Sequence, residues 1–276
     1  GGGGAGGARR FFGGGPGGGA SFRAGGRGVP GGLAWVGRGG RRPRHFMRAV
    51  ESVMLNCLDL ARVRRFVVID DGSPDADVAA MQARWPQFEL IRKPAHLKGQ
   101  GTSLMTMLEA VDEDLILYWE DDTILIEQGH WISRATAVVE AGFSQVIFDT
   151  AIVHEPCLRA IAVSRDMGHF ALDHDTGRDY APAATFRYNI DPWPGAVVRP
   201  GLWHAATLRA RGIRFHPSDF TNMEYRFSLD FGAAGLTSAV LAHCRVFDLG
   251  YDVSAHVLNE TRRAHDPVGP SAGEQP

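Results

Sequence analysis

The stretch that most constrains this chain is Leu115-Ile116-Leu117-Tyr118-Trp119-Glu120-Asp121-Asp122, where five apolar or aromatic residues run straight into three carboxylates. A short apolar run of this kind reads as a buried strand. Strand ends are usually filled by Gly, Asn or Ser. Three acids there instead set hard oxygen ligands at the edge of a sheet, where open α/β proteins hold ligands. Hard oxygens suit Mg²⁺ or Mn²⁺, ions that are shared with substrate phosphates. The bland alternative is a solvated acidic turn after a core strand.

The flanking sequence repeats the strand-then-turn theme. His45 to about Asp59 carries Phe46, Val50, Val53, Met54, Cys57 and Leu58 at helical spacing. Arg65 to Asp70 reads as a strand closed by Asp71-Gly72-Ser73-Pro74, and a helix follows from Ala76 to Arg84. Phe88 to Arg92 is a third strand, and Lys98-Gly99-Gln100-Gly101 leads into a helix from Thr102 to Val111. Beyond the acids, Gln128 to Ala141 reads as a helix and Gln145 to Phe148 as a strand. Ala196 to Arg199 is expected as an edge strand, Leu202 to Ala210 and Phe220 to Ala234 as helices, and Ser238–Leu241 and Cys244–Phe247 as short apolar runs. Strands alternating with helices across short connections imply parallel β-α-β units, and no internal repeat is visible.

Bulk composition agrees with a globular α/β chain. Of 276 residues, 44% are hydrophobic and 22% charged, and the net charge of −2 favours neither a nucleic acid nor an anionic membrane. That balance hides an asymmetry: residues 1–44 hold eight Arg, no acid and 20 of the 35 glycines. Such a segment buries too little apolar surface to offset its chain entropy, so residues 1–44 are expected as a disordered tail. Residues 45–261 then form the folded domain, and the polar Pro/Gly stretch 262–276 a second disordered tail. An Arg/Gly-rich tail can touch RNA, but no stable nucleic-acid partner is expected. Cys57, Cys157 and Cys244 are widely spaced without a CxxC, which reads as reduced structural thiols. No membrane span or signal peptide is recognisable, so the default compartment is cytoplasmic.

Three short motifs follow one another: Asp70-Asp71-Gly72-Ser73, then Lys98-Gly99-Gln100 with Ser103, then Glu120-Asp121-Asp122. Each has a structural reading of its own, as a common turn, a helix start and an acidic turn. Their order and spacing resemble the nucleotide-sugar glycosyltransferases of the GT-A (Rossmann-like) fold, nearest to the inverting family 2-like enzymes. More narrowly they are similar to a subgroup seen in large DNA viruses and algae, in which D-D-x-S, K-G-H/Q-x-x-S and E-D-D occur in sequence. The resemblance covers about residues 45–260. It implies a mixed, mainly parallel sheet flanked by helices.

The same resemblance implies roles. Asp70, Asp71, Ser73, Lys98, Gln100, Ser103 and Asp121 would bind the donor, with Asp71 at the nucleoside. Asp122, Glu120 and Asp248 would hold Mn²⁺ or Mg²⁺, the ion bridging the diphosphate of the leaving nucleotide. Relatives often carry His where this chain has Asp248, and His243 is an alternative ligand. An inverting transfer needs a general base for the acceptor hydroxyl. Glu224, set among aromatics in Asn222-Met223-Glu224-Tyr225-Arg226-Phe227, is the candidate, against the plain reading of an exposed helix Glu. The partners would be a nucleotide-diphosphate sugar, with UDP the leading nucleotide, and a hydroxyl on a glycan, protein or small molecule. The fold's first strand should precede the His45 helix, where Gly31-Gly32-Leu33-Ala34-Trp35-Val36-Gly37 is a poor candidate: either Leu33 to Val36 serves or the strand is missing. Two other readings stand beside this one, a sugar-phosphate nucleotidyltransferase, whose Arg-containing Gly loop Gly37–Arg44 loosely echoes, and a catalytically degenerate binding domain.

Overall fold

In the computed structural model the described residues are 31–40, 42–148, 180–182, 186–188, 191–193, 196–216, 223–241 and 243–249. Along the chain these form β1 (Leu33–Gly39), α1 (Pro43–Asn56), β2 (Arg65–Asp70), α2 (Asp75–Arg84), β3 (Phe88–Arg92), α3 (Gln100–Ala110), β4 (Leu115–Glu120), β5 (Thr123–Leu125), α4 (Trp131–Glu140), β6 (Gln145–Ile147), β7 (Tyr180–Pro182), β8 (Phe186–Tyr188), β9 (Asp191–Trp193), β10 (Gly201–Trp203), α5 (Ala205–Ala210), α6 (Met223–Ala233), β11 (Ser238–Leu241) and β12 (Val246–Asp248). Eight strands make one sheet in the order β3-β2-β1-β4-β10-β6-β11-β7. β10 and β7 run against the rest, so the sheet is mixed and mainly parallel. β5 pairs with β12, and β8 with β9, as separate antiparallel ribbons. The parallel α/β architecture implied by the strand–helix alternation is therefore present.

The first strand is where the structure departs most from expectation. Leu33–Gly39, inside the segment read as a disordered tail, is β1, and it sits between β2 and β4. The strand extends past Val36 to Gly39. Its glycines are what disguised it, yet Gly37 is required there. A Cβ on Gly37 would lie 2.4 Å from the Trp35 ring, which folds across that space and stacks on Phe88 with centroids 5.1 Å apart. Residues 1–30 and 262–276 lie outside the described residues, as does Cys157.

Alternation sorts side chains onto two layers. Ala34, Val36, Val67, Ile69, Ile116 and Tyr118 meet α3, α5 and α6 through Leu104, Met107, Leu208, Phe227 and Phe231. On that side Phe215 stacks on Phe227 with centroids 4.0 Å apart. Trp35, Phe66, Phe88 and Phe46 form an aromatic set on the opposite face of the sheet, under α1.

Two segments after residue 190 differ from the sequence reading. Ala196–Arg199 is not a strand. The buried side chain of Gln145 donates to the Val197 carbonyl and accepts its N–H, doing with an amide side chain what a neighbouring strand would do. The strand is instead Gly201–Trp203, read as part of a helix, and the helix begins only at Ala205. Gly201 allows this, because a Cβ there would lie 2.2 Å from the Val146 carbonyl oxygen of β6. No helix among the described residues is long and apolar enough to cross a membrane.

Candidate active site

Register decides which residues meet at the edge of the sheet. Arg38 lies opposite Ile69 and Glu120 in the parallel ladder, and Gly39 opposite Asp70. The Asp71 N–H then donates to the Gly39 carbonyl at 2.9 Å. The carboxyl ends of β1, β2 and β4 finish level. The Asp70–Ser73 turn, the loop to Arg42 and the Glu120–Asp122 run consequently share one edge, the place where open parallel sheets bind ligands.

On the β2 side most of the polar atoms are already engaged. Asp70 is fully buried, and both its oxygens accept the Ser73 N–H at 3.1 Å, with Arg92 Nε 3.5 Å away. Both Asp71 oxygens accept the Gly99 N–H at 3.0 Å, and Oδ1 is 2.8 Å from Lys93 Nζ. Gly99 has φ 115°, a conformation left to glycine, and so turns its N–H toward Asp71 as α3 begins. The buried Ser103 hydroxyl donates back to the Gly99 carbonyl at 3.1 Å. Ser73 is buried too, and its carbonyl accepts from Arg92 at 2.9 Å. Asp70 and Ser103 thus shape their own turns, whereas Lys98 is exposed beside Gly72 and Gln100 donates to Glu120 at 3.4 Å. Lys93, which sequence reasoning passed over, also donates to Gly99 O at 2.8 Å and Thr102 Oγ1 at 2.7 Å.

On the β4 side the carboxylates meet two arginines that the glycine-rich context had hidden. Arg42 reaches Asp121 Oδ1 at 2.6 Å and Asp122 Oδ2 at 2.9 Å, and Arg38 lies 3.9 Å from Glu120 and 4.0 Å from Asp121. The Tyr118 hydroxyl donates to Glu120 at 3.2 Å. Burial, with the neighbouring Asp122 charge, pushes Glu120 up to about 7. Burial also lifts Asp121, against the pull of Arg38 and Arg42. Burial and then Glu120 raise Tyr118 well above its ordinary value, so it stays a donor.

Glu224, at the first turn of α6, accepts the Val198 N–H at 2.7 Å, and burial raises it above the ordinary carboxylate range. Arg199 follows Val198 and lies 3.7 Å from Asp248, and both groups are felt electrostatically by Glu120. Asp248 is opposite Thr123 in the β5–β12 ribbon, and the next residue, Leu249, donates its N–H to the Asp122 carbonyl at 2.6 Å. His243 has φ 58° on the loop before β12.

The three-carboxylate metal set of Glu120, Asp122 and Asp248 is not assembled. Among the described residues, no group of three or more His, Cys, Asp or Glu is arranged to hold an ion. Glu120 is the odd member, half-buried and shared by Tyr118 and Gln100. Asp122 and Asp248, with side chains 16% and 27% exposed, are the carboxylates that fit in donor type. One or two carboxylates with phosphate oxygens is the usual provision for Mg²⁺, and hard oxygen donors suit Mn²⁺ as well.

The comparisons with known proteins point the same way. The sequence profile described as glycosyl transferase family 2 matches residues 47–196, more than half of the chain. No curated protein matches in sequence. Similar solved structures include S. aureus TarS 1–349, with a TM-score of 0.56 at 13% identity over 78% of this chain and 59% of that one. The same fragment in complex with UDP-GlcNAc gives 0.56 at 12% identity over 78% and 57%. Mannosyltransferase PcManGT from Pyrobaculum calidifontis, in complex with GDP-Man and Mn²⁺, gives 0.53 at 11% identity over 84% and 61%. At such identities the likeness is one of fold, and the chain spans about three fifths or less of the length of these proteins. From the matched profile and the shared fold, this chain belongs to glycosyl transferase family 2.

Proposed function

We propose that the domain transfers a sugar from a nucleotide-diphosphate donor, with UDP the leading nucleotide, to a hydroxyl acceptor with inversion at the anomeric carbon. The observation that carries this reading is the common sheet edge of the Asp70–Ser73 turn, the Arg38 and Arg42 side chains and the Glu120–Asp122 run. Lys98 and the arginines offer cations for phosphate, and the first turn of α3, from Gln100, offers backbone amides. Asp122 and Asp248 would hold the divalent ion, which when bound would neutralise charge on the departing diphosphate. Glu224 would accept the acceptor's hydroxyl proton as its oxygen bonds to the anomeric carbon. The bond from that carbon to the phosphate oxygen breaks in the same step, and its electron pair leaves with the nucleotide diphosphate. A raised pKa suits a base near neutral pH.

Calorimetric titration with UDP and GDP, with and without Mn²⁺, tests the proposal. UDP binding that needs the ion and is lost in Asp122→Ala is the expected result. A preference for a nucleoside triphosphate with a sugar phosphate would replace this reading with nucleotidyl transfer. Absence of any nucleotide binding would leave a non-catalytic binding domain.

A further inference from the structure

The Asp121–Asp122 pair is already occupied by a cation of the chain's own. Arg42 is anchored where α1 begins: its carbonyl accepts the Phe46 N–H at 3.0 Å and Pro43 follows it. Its side chain is only 4% exposed, and the planar fork spans Asp121 Oδ1 and Asp122 Oδ2. Each arm of the fork serves a different carboxylate, an arrangement that the rigid, planar guanidinium suits. A divalent ion on Asp122 would lie on the same carboxylate as this guanidinium, within a few ångströms of it, and two cations that close repel strongly.

We propose that Arg42 is an internal counter-ion that closes Asp122 to a divalent cation until a diphosphate arrives to take over its guanidinium. The nucleotide half of this proposal rests on the donor reading above. A second observation favours the exchange. Arg42 Nε and Arg38 Nε are buried and meet no acceptor among the described residues. Both guanidiniums therefore hold donors in reserve, and phosphate oxygens are the acceptors that such forks match in pairs. When Arg42 turns to a phosphate, Asp122 is released to the cation at the same moment. Ion and diphosphate then bind cooperatively, and by linkage each strengthens the other equally.

The test follows free Mn²⁺ by electron paramagnetic resonance as protein is added, with and without UDP. In the wild type, Mn²⁺ alone binds weakly and UDP tightens it about tenfold or more, within the ordinary range of site-to-site coupling. In Arg42→Met, Mn²⁺ alone binds about tenfold tighter and the UDP effect shrinks, a change of the same coupling size. Because Arg42→Met leaves Asp121 buried without its partner, Arg42→Lys is measured as well. It keeps a charge for Asp121 on a shorter side chain without the two-pronged fork, so the hold on Asp122 loosens and Mn²⁺ alone again binds tighter. Asp122→Asn abolishes the gain in either background. The proposal is overturned if wild-type protein binds Mn²⁺ alone as tightly as with UDP. It is equally overturned if folded Arg42→Lys leaves the Mn²⁺-alone affinity unchanged. Failure of UDP to bind at all would sink the donor reading, while the Mn²⁺-alone comparison would still judge Arg42.

Discussion

The Lys93 ammonium lies 2.8 Å from Asp71 Oδ1, with side chains 2% and 11% exposed. This pair ties the end of β2 to the start of α3, because Asp71 also accepts the Gly99 N–H and Lys93 donates to Gly99 O and Thr102 Oγ1. Removing one member of a buried pair leaves the other charge stranded, which costs about 3–5 kcal/mol. Lys93→Met is accordingly expected to lose about 3 kcal/mol in urea unfolding. The double variant Lys93→Met/Asp71→Asn should recover part of that loss, since neither charge is then left alone. A loss in the double variant equal to the sum of the two single losses would show that the two groups are uncoupled.

β1 supplies a sharper contrast between two glycines. Gly37 has the Trp35 ring 2.4 Å from where a Cβ would sit, whereas at Gly39 the nearest atom is Val68 Cγ1 at 3.5 Å. Gly37→Ala should force Trp35 out of its stack on Phe88, at about 1–3 kcal/mol for overpacking. Gly39→Ala should change the midpoint of thermal unfolding little. Measured side by side, the two substitutions separate a packing requirement from glycine's backbone freedom.

Much of this fold was legible because its signals are local. β2, β3 and β4 are apolar runs bounded by turn residues, and they occur within a residue or so of where the sequence places them. β1 was legible only as one of two alternatives, at Leu33–Val36, since Gly37 and Gly39 look like linker and their reason lies in Trp35 and in neighbouring strands. Ala196–Arg199 was misread for a similar cause: it has strand composition, but its partner is the Gln145 side chain rather than another strand. The carboxylates of the site could be found from the run Glu120-Asp121-Asp122. Arg38 and Arg42 could not, because what marks them is the parallel register that sets Arg38 opposite Glu120. A basic residue two to six positions after an apolar core such as Leu33–Val36 is the one local signal that would have pointed to them.

Cys57 gives a prediction about reactivity. Burial, helped by the adjacent Asp59 carboxylate, pushes its thiol up to about 12. The thiolate is the reactive form, so native protein at pH 8 should resist alkylation at this position and react promptly in urea. Asp59 accepts the Ile132 and Ser133 N–H groups at 3.2 and 2.6 Å, capping α4. Asp59→Ala should cost about 1 kcal/mol for the lost cap and speed alkylation through local opening. Peptide mass mapping after timed labelling would read both effects.

Glu120 makes stability depend on pH in the metal-free protein. Its folded value of about 7 lies above the 4.5 of the free carboxyl. Between those values the folded state holds more protons than the unfolded chain, so stability falls as pH rises through the window and levels off above it. The shift corresponds to about 3 kcal/mol at most. Glu120→Gln removes the titration while keeping an amide that can pair with Tyr118. It should be more stable than wild type at pH 8 and about equal to it near pH 4. Urea unfolding at several pH values in chelator checks this, and parallel curves for the two proteins would contradict it.

Glu224 provides the prediction that bears most directly on chemistry. Its carboxylate is anchored by the Val198 N–H at 2.7 Å, and Ser228, one turn further along α6, donates to the Ala196 carbonyl. The Glu224 carboxylate is therefore held against Ala196–Arg199, the segment that also carries Arg199 toward Asp248. Glu224→Gln keeps an acceptor oxygen for Val198 and preserves volume, yet cannot take a proton at neutral pH. If Glu224 is the base, the substitution should lower kcat by about 10²- to 10⁴-fold, the usual contribution of a positioned proton acceptor. UDP affinity and the urea midpoint should stay near wild type, because the donor side and the α6 anchor are intact. The rising limb of the pH–rate profile should disappear with the carboxylate. A matched loss of UDP affinity and stability would instead assign Glu224 to holding the segment in place.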